Sequence, residues 1–231
     1  MTSHKKQMNV GIIRFPGSNC DFDTLNFFTK FGHAAEFVWY KDTRALSFDL
    51  LALPGGFAFG DRVYSKATGS FTCDPGALAL RSPVLKAIKK AAKAGVPILG
   101  ICNGFQILVK AGLLPGALER NELKKFFCDY VVCSVSGASF FGSDSMRGKK
   151  FTIPVAHGYG RYMLSSGERE KYARSGQIFL TYAGFNPNGS IDNIAGVCNE
   201  QKTIFGMMPH PERSPDASYF MRAIESYVRT H

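Results

Sequence analysis

The chain has no apolar run of the ~18–20 residues that a bilayer-spanning helix needs, which excludes a membrane-spanning helix. Its first residues, MTSHKKQMNV, carry lysines but no apolar core or small-residue cleavage site behind them, so no secretory signal is expected. None of the six cysteines stands in a CxxC pair, and their spacing is irregular. That argues against structural zinc and against a secreted disulfide scaffold, and leaves reduced thiols in the cytoplasm as the expectation. No GxxxxGK[ST] loop and no GxGxxG after a strand are present, so a nucleotide site is not expected here. Repeats, low-complexity tracts and Pro/Ser-rich linkers are absent as well. The chain therefore reads as a polar tail over 1–7 and a single domain over 8–231. A hydrophobic fraction of 45% with 20% charge excludes a disordered class.

What is present in excess is positive charge: 28 Lys and Arg against 18 Asp and Glu, a net +10. Such a balance can signal nucleic acid. Here the densest set, Lys86, Lys89, Lys90 and Lys93, recurs at helical spacing opposite Val84, Leu85, Ile88 and Ala92, which is the pattern of a solvated helix face. No zinc knuckle or aromatic RNA-binding motif accompanies it, so no nucleic-acid partner is expected.

Apolar segments at 8–14, 36–40, 48–53 and 96–101 read as strands, and 21–31, 83–95 and 103–112 as helices. This alternation predicts a mainly parallel sheet covered on both faces. The second half reads as short strands, DYVVCSV, SFF, KFTIPVA, QIFLTY, IAGVCN and TIFGMM, closed by a helix that starts at Ser214-Pro215-Asp216. Its apolar stripe is Tyr219, Phe220, Ala223, Ile224, Tyr227 and Val228.

The segment GICNGFQ at 100–106 carries an apolar strand straight into Cys102 and then into a helix, the layout of a nucleophile elbow. Gly100 and Gly104 permit close strand–helix packing there. A cysteine at a helix N-terminus is favoured as thiolate. Cys20 also stands between a strand and a helix, but its turn is longer and lacks the glycine pair. A cysteine nucleophile needs a base and the base an orienting group. His4 and His231 are terminal, and His33 after Gly32 reads as a loop residue. His210, in MMPHPER, is made extended by Pro211, so Glu212 falls on its side two residues on. His157, in PVAHGYGRY, is delivered by a strand too but has no such carboxylate. For the oxyanion, one N–H donor comes from Asn103, and the other from the turn Gly55-Gly56-Phe57.

Taken together, RFPGSNCD (14–21), LPGGFAFGD (53–61), GICNGFQIL (100–108), GLLPGALERN (112–121), PVAHGYGRY (154–162) and MMPHPER (207–213) resemble class I glutamine amidotransferases, over nearly the whole chain. Within them the likeness is to the glutaminase subunits of phosphoribosylformylglycinamidine synthases, with RFPGSNCD the distinguishing segment. The resemblance implies a three-layer, flavodoxin-like α/β domain. It implies Cys102 as nucleophile, His210 as general base and acid, Glu212 as its orienter, and the Gly56 and Asn103 N–H groups as the oxyanion hole. It also implies Gln106, Gly158 and Tyr159 against the substrate L-glutamine. Tyr159 stands where the family usually has an acidic residue, and the stretch 63–83 is longer than usual. No metal or cofactor is implied on this chain. ATP and magnesium belong to a large synthetase subunit, which a small third subunit can accompany, and ammonia passes to it. The alternatives are a glutaminase serving another synthetase and a non-catalytic subunit on the same fold.

Overall fold

The computed structural model describes residues 7–43, 47–65, 69–135 and 140–230. The tail predicted over 1–7 lies outside these except for Gln7. The elements run β1 (Asn9–Arg14), α1 (Asp21–Lys30), β2 (Ala34–Trp39), β3 (Leu50–Leu53), β4 (Arg62–Ser65), β5 (Ser70–Cys73), α2 (Pro83–Lys93), β6 (Ile98–Ile101) and α3 (Asn103–Lys110). They continue with β7 (Ala117–Glu119), β8 (Phe127–Val135), β9 (Lys150–His157), β10 (Arg161–Met163), α4 (Ser166–Arg174), β11 (Ile178–Tyr182), β12 (Ile194–Cys198), β13 (Ile204–Met207) and α5 (Ala217–Thr230).

Nine strands form one sheet in the order β2-β1-β3-β6-β13-β12-β11-β8-β9. The first five are mutually parallel. The remaining four join antiparallel. The parallel strands read as continuous apolar runs because both their faces are covered: every residue of β3, β6 and β13 is buried. Adjacent residues of β13 show the two layers. A Cβ on Gly206 would strike Phe105 of α3, whereas Phe205 meets Tyr227 of α5. α1 lies on the α5 side, since His33 at its end pairs with Glu225 of α5. The connection from β1 to β2 runs one way along the sheet and that from β3 to β6 the other. The chain therefore changes direction between β1 and β3, where an open α/β sheet forms a crevice beyond the carboxyl ends of its strands.

α2 buries Val84, Leu85, Ile88 and Ala91 and exposes its lysines, so the solvated-face expectation holds, with Ala91 and not Ala92 fully buried. Three readings need correction. The strand expected at SFF is instead a 3-10 turn over Phe140–Gly142 whose rings fill the core under α5. His33 stands in the loop between α1 and β2, as expected, and is buried there: its Nε2 lies 3.0 Å from Glu225 and its Nδ1 accepts the Met8 N–H. α5 begins at Ala217, three residues after Ser214, whose hydroxyl donates to the Thr152 carbonyl and accepts the Asp216 N–H. Tyr219 is 38% exposed and lies off the apolar stripe. The long stretch 63–83 contains the β4–β5 hairpin and a short 3-10 helix, Leu78–Arg81.

Candidate active site

Cys102 follows β6 without a spacer and occupies the N-cap position of α3 with φ 50° and ψ −104°. A left-handed φ is unusual for a residue with a Cβ and is held here by packing. Gly104 makes it possible, because a Cβ there would come within 2.0 Å of the Leu53 carbonyl oxygen. The elbow is thus pressed onto the end of β3. The Cys102 N–H donates to Met207 O at 2.8 Å, tying it to β13, and its thiol lies 3.7 Å from Ala156 O of β9.

β13 delivers His210. Its N–H donates to Pro154 O at 2.8 Å, and its Nδ1 sits 2.7 Å from Glu212 Oε1. The Glu212 side chain is fully buried. Burial alone would favour neutral imidazole, but the Glu212 charge and the thiols of Cys102 and Cys20 outweigh it and raise the His210 pKa well above its ordinary value. Among the described residues, Nε2 of His210 and Oε2 of Glu212 are buried without a hydrogen-bond partner. A buried polar atom left open in this way invites a reacting group.

The structure also brings Cys20 to this place. A Cβ on Gly55 would lie 2.6 Å from His210 Cε1, 3.2 Å from Cys20 Sγ and 3.4 Å from Cys102 Cβ, so only glycine fits between the three. Cys20 belongs to a loop laced to the turn after β3: Cys20 N–H donates to Gly55 O, Phe57 N–H to Gly17 O and Phe59 N–H to Pro16 O. Gly56, with φ +141°, sits where a Cβ would meet Asn19 N at 2.5 Å. These two loops are the walls of the crevice between β1 and β3.

Asn103 joins the turn to the elbow. Its Oδ1 accepts the Ala58 N–H at 3.0 Å, and its Nδ2 donates to Gln106 Oε1 at 2.8 Å and to Asp61 Oδ1 at 3.2 Å. Asp61 is buried with φ 53°. Burial lifts its pKa to about 6, against the Gly76 N–H and Asn103 amide that favour its charge and with Asp74 adding to the rise. Sequence reasoning gave Asp61 no role, although it closes the motif LPGGFAFGD.

Comparison with known proteins bears on what this geometry serves. A family described as CobB/CobQ-like glutamine amidotransferase domain matches residues 7–226. This chain belongs to that amidotransferase family. Among its relatives is the phosphoribosylformylglycinamidine synthase subunit PurQ of Wolinella succinogenes, 43% identical over 90% of this chain and 91% of that protein. The same-named subunit of Thermomicrobium roseum is 45% identical, over 90% and 89%. The structure of PurLQS from Thermotoga maritima matches with a TM-score of 0.82 and 35% identity, covering 96% of this chain and all of that one. A glutamine amidotransferase from Thermotoga maritima shares the fold at a TM-score of 0.57 and 16% identity, over 97% and 84% of the two chains.

Within this amidotransferase, Gln106 is spent internally: it donates to Tyr159 O at 2.5 Å and accepts from Asn103. It holds the 158–160 loop in place. The Tyr159 phenol turns toward Cys73 of the β4–β5 hairpin, so the atypical residue and the atypical stretch meet. Gly158 lies under the exposed ring of Phe126. His157 is engaged with partners of its own. Its Nδ1 faces Asn121 Oδ1 at 3.2 Å, and burial together with the nearby His210 charge lowers its pKa to about 4. Among the described residues no cluster of His, Cys, Asp and Glu could hold a metal ion, and no helix is long and apolar enough to cross a membrane.

Proposed function

We propose that this chain is the glutaminase subunit of a phosphoribosylformylglycinamidine synthase, hydrolysing L-glutamine to glutamate and ammonia for a separate ATP-dependent synthetase subunit in purine biosynthesis. The observation that carries the reading is the convergence of Cys102 on its strained elbow with the buried His210–Glu212 pair. Cys102 gives its proton to His210 and attacks the amide carbon of glutamine. The N–H groups of Gly56 and Asn103 hold the oxyanion. His210 then protonates the departing nitrogen, releasing ammonia and leaving a thioester on Cys102. In the second half His210 takes a proton from water, hydroxide attacks the thioester, and the proton returns to the sulfur as glutamate leaves. Glu212 keeps Nδ1 protonated and stabilises the imidazolium that forms in each half.

Gly158 and Tyr159 contribute backbone to the glutamine pocket, with Gln106 as the brace behind them. ATP and magnesium act on the synthetase subunit, and a small third subunit completes the assembly. Support for a partner comes from the mouth of the site, where Phe57, 45% exposed, and Phe126, 55% exposed, approach within 6.5 Å. Residues 8–231 act as one domain, located in the cytoplasm. The test is mass spectrometry after treatment with 6-diazo-5-oxo-norleucine, for wild type and Cys102→Ala, with and without the synthetase subunit. A single adduct on Cys102, lost in the variant, is expected. No adduct even with the partner present would overturn the glutaminase mechanism and favour a non-catalytic subunit.

A further inference from the structure

An oxyanion hole built from two loops works only if something fixes the distance between them. Here one donor, Gly56, lies in the turn after β3 and the other, Asn103, at the start of α3. The Asn103 side chain spans the gap. Its oxygen accepts the Ala58 N–H, and both hydrogens of its amide are engaged, one by Gln106 Oε1 and one by Asp61. The polarity of that amide matters. Turned over, it would present NH2 to the Ala58 N–H and oxygen to two acceptors. The ionised Asp61 carboxylate has only acceptor oxygens, so it admits one orientation of Asn103. Asp61 is itself fixed: Gly76 N–H donates to its Oδ1 at 3.3 Å, and its own carbonyl accepts the Asp74 N–H at 2.7 Å.

The geometry points to Asp61 as the positioning residue of the oxyanion hole, clamping the Asn103 amide so that the Gly56 and Asn103 N–H groups converge on one point. Asp61 touches no substrate and acts through Asn103. This rests on the glutaminase reading above. The burial of Asp61 is consistent with such a role: a carboxylate kept inside, with its pKa lifted to about 6, is tolerated only where its hydrogen bonds are needed.

Two variants separate the carboxylate from the backbone. Asp61 has a left-handed φ, which glycine adopts freely and asparagine tolerates. Asp61→Gly therefore removes the acceptor without strain, and Asp61→Asn restores a carbonyl to face Asn103. Both are assayed in the full chain with its synthetase subunit. Asp61→Gly is expected to lower kcat for glutamine hydrolysis about ten- to a hundredfold, somewhat less than outright removal of an oxyanion donor, with KM nearly unchanged. Asp61→Asn is expected to recover most of the loss. The second readout compares two Cys102 reagents. Glutamate γ-semialdehyde adds to the thiol and places an oxygen in the hole, so its inhibition should weaken in step with kcat. Iodoacetamide alkylates the thiol without forming an oxyanion, so its rate should hold. Unchanged kcat and aldehyde inhibition in Asp61→Gly would overturn the inference, as would equal losses of aldehyde and iodoacetamide reactivity, which mark general loosening. Glutamine hydrolysis surviving in Cys102→Ala would instead overturn the glutaminase reading itself.

Discussion

In the proposed mechanism His210 is an acid in one half-reaction and a base in the next, and its surroundings decide how well it does each. Glu212 holds Nδ1 at 2.7 Å from a side chain with no access to water. Glu212→Gln keeps the shape but loses the charge and can present NH2 to the ring, freeing the wrong tautomer. Glutamine turnover with the synthetase should fall at least about 10²-fold, with little change in KM. Asp61 offers a cleaner thermodynamic check. Its folded pKa of about 6 lies above the ordinary 3.8, so the native state holds this proton more tightly than the unfolded chain. Its contribution is fully present below about 3.8 and is lost as pH rises through about 6. Asp61→Asn cannot ionise, so its melting temperature should exceed that of wild type at pH 8, and the gap should close as pH is lowered to about 4, as calorimetry would show. A gap independent of pH would mean that folding does not shift the Asp61 pKa.

At the scale of elements, the elbow depends on the absence of two side chains. A Cβ at Gly104 would meet the Leu53 carbonyl oxygen at 2.0 Å, and one at Gly100 would meet Leu108 at 2.5 Å. The first obstacle is backbone and cannot swing away. Gly104→Ala should therefore push α3 off β3, lower the urea midpoint by an amount equivalent to about 1–3 kcal/mol, and abolish the Cys102 adduct. Gly100→Ala, which strikes a side-chain tip and the Gly104 backbone, tests the same interface from the strand. This packing is legible in GICNGFQ because strand, turn and helix follow one another with no spacer. So are the central parallel strands β3, β6 and β13, whose runs are apolar throughout, and the pairing of His210 with Glu212. α4 is not legible by periodicity, since none of its residues is buried, although Ser165 and Glu168 form a capping box that marks its start. The β4–β5 hairpin escapes for a similar reason: the exposed residues of β5 show no alternation. The places of His33, Cys20 and Asp61 are hidden because their partners, Glu225, Gly55 and Asn103, are far away in sequence, and one chain alone gives no sign of which distant residues meet.

For the molecule as a whole, ammonia is a product that water disperses unless a partner receives it, and Cys102 lies at the carboxyl end of β6, beside the two crevice loops. The positive charge does not define a docking face, because its densest cluster is the outer face of α2. The exposed aromatic pair Phe57 and Phe126 does lie at the mouth, one ring beside the Gly56 turn and the other over Gly158. Desolvating rings of this kind is what drives the central contacts of an interface. If the synthetase subunit seats there, it bears on both the Gly56 and the Gly158 loops, so association and turnover should be coupled. Glutamine hydrolysis should then rise several-fold on adding the synthetase subunit. With amide-labelled glutamine, the label should enter the amidine product even in excess unlabelled ammonium. The double variant Phe57→Ser with Phe126→Ser should weaken association by at least about thirtyfold, the equivalent of one interface hot spot, while the isolated chain keeps its fold by circular dichroism. Unaltered affinity in that variant would move the interface away from the mouth, and label lost to bulk ammonium would show that the product leaves through solvent.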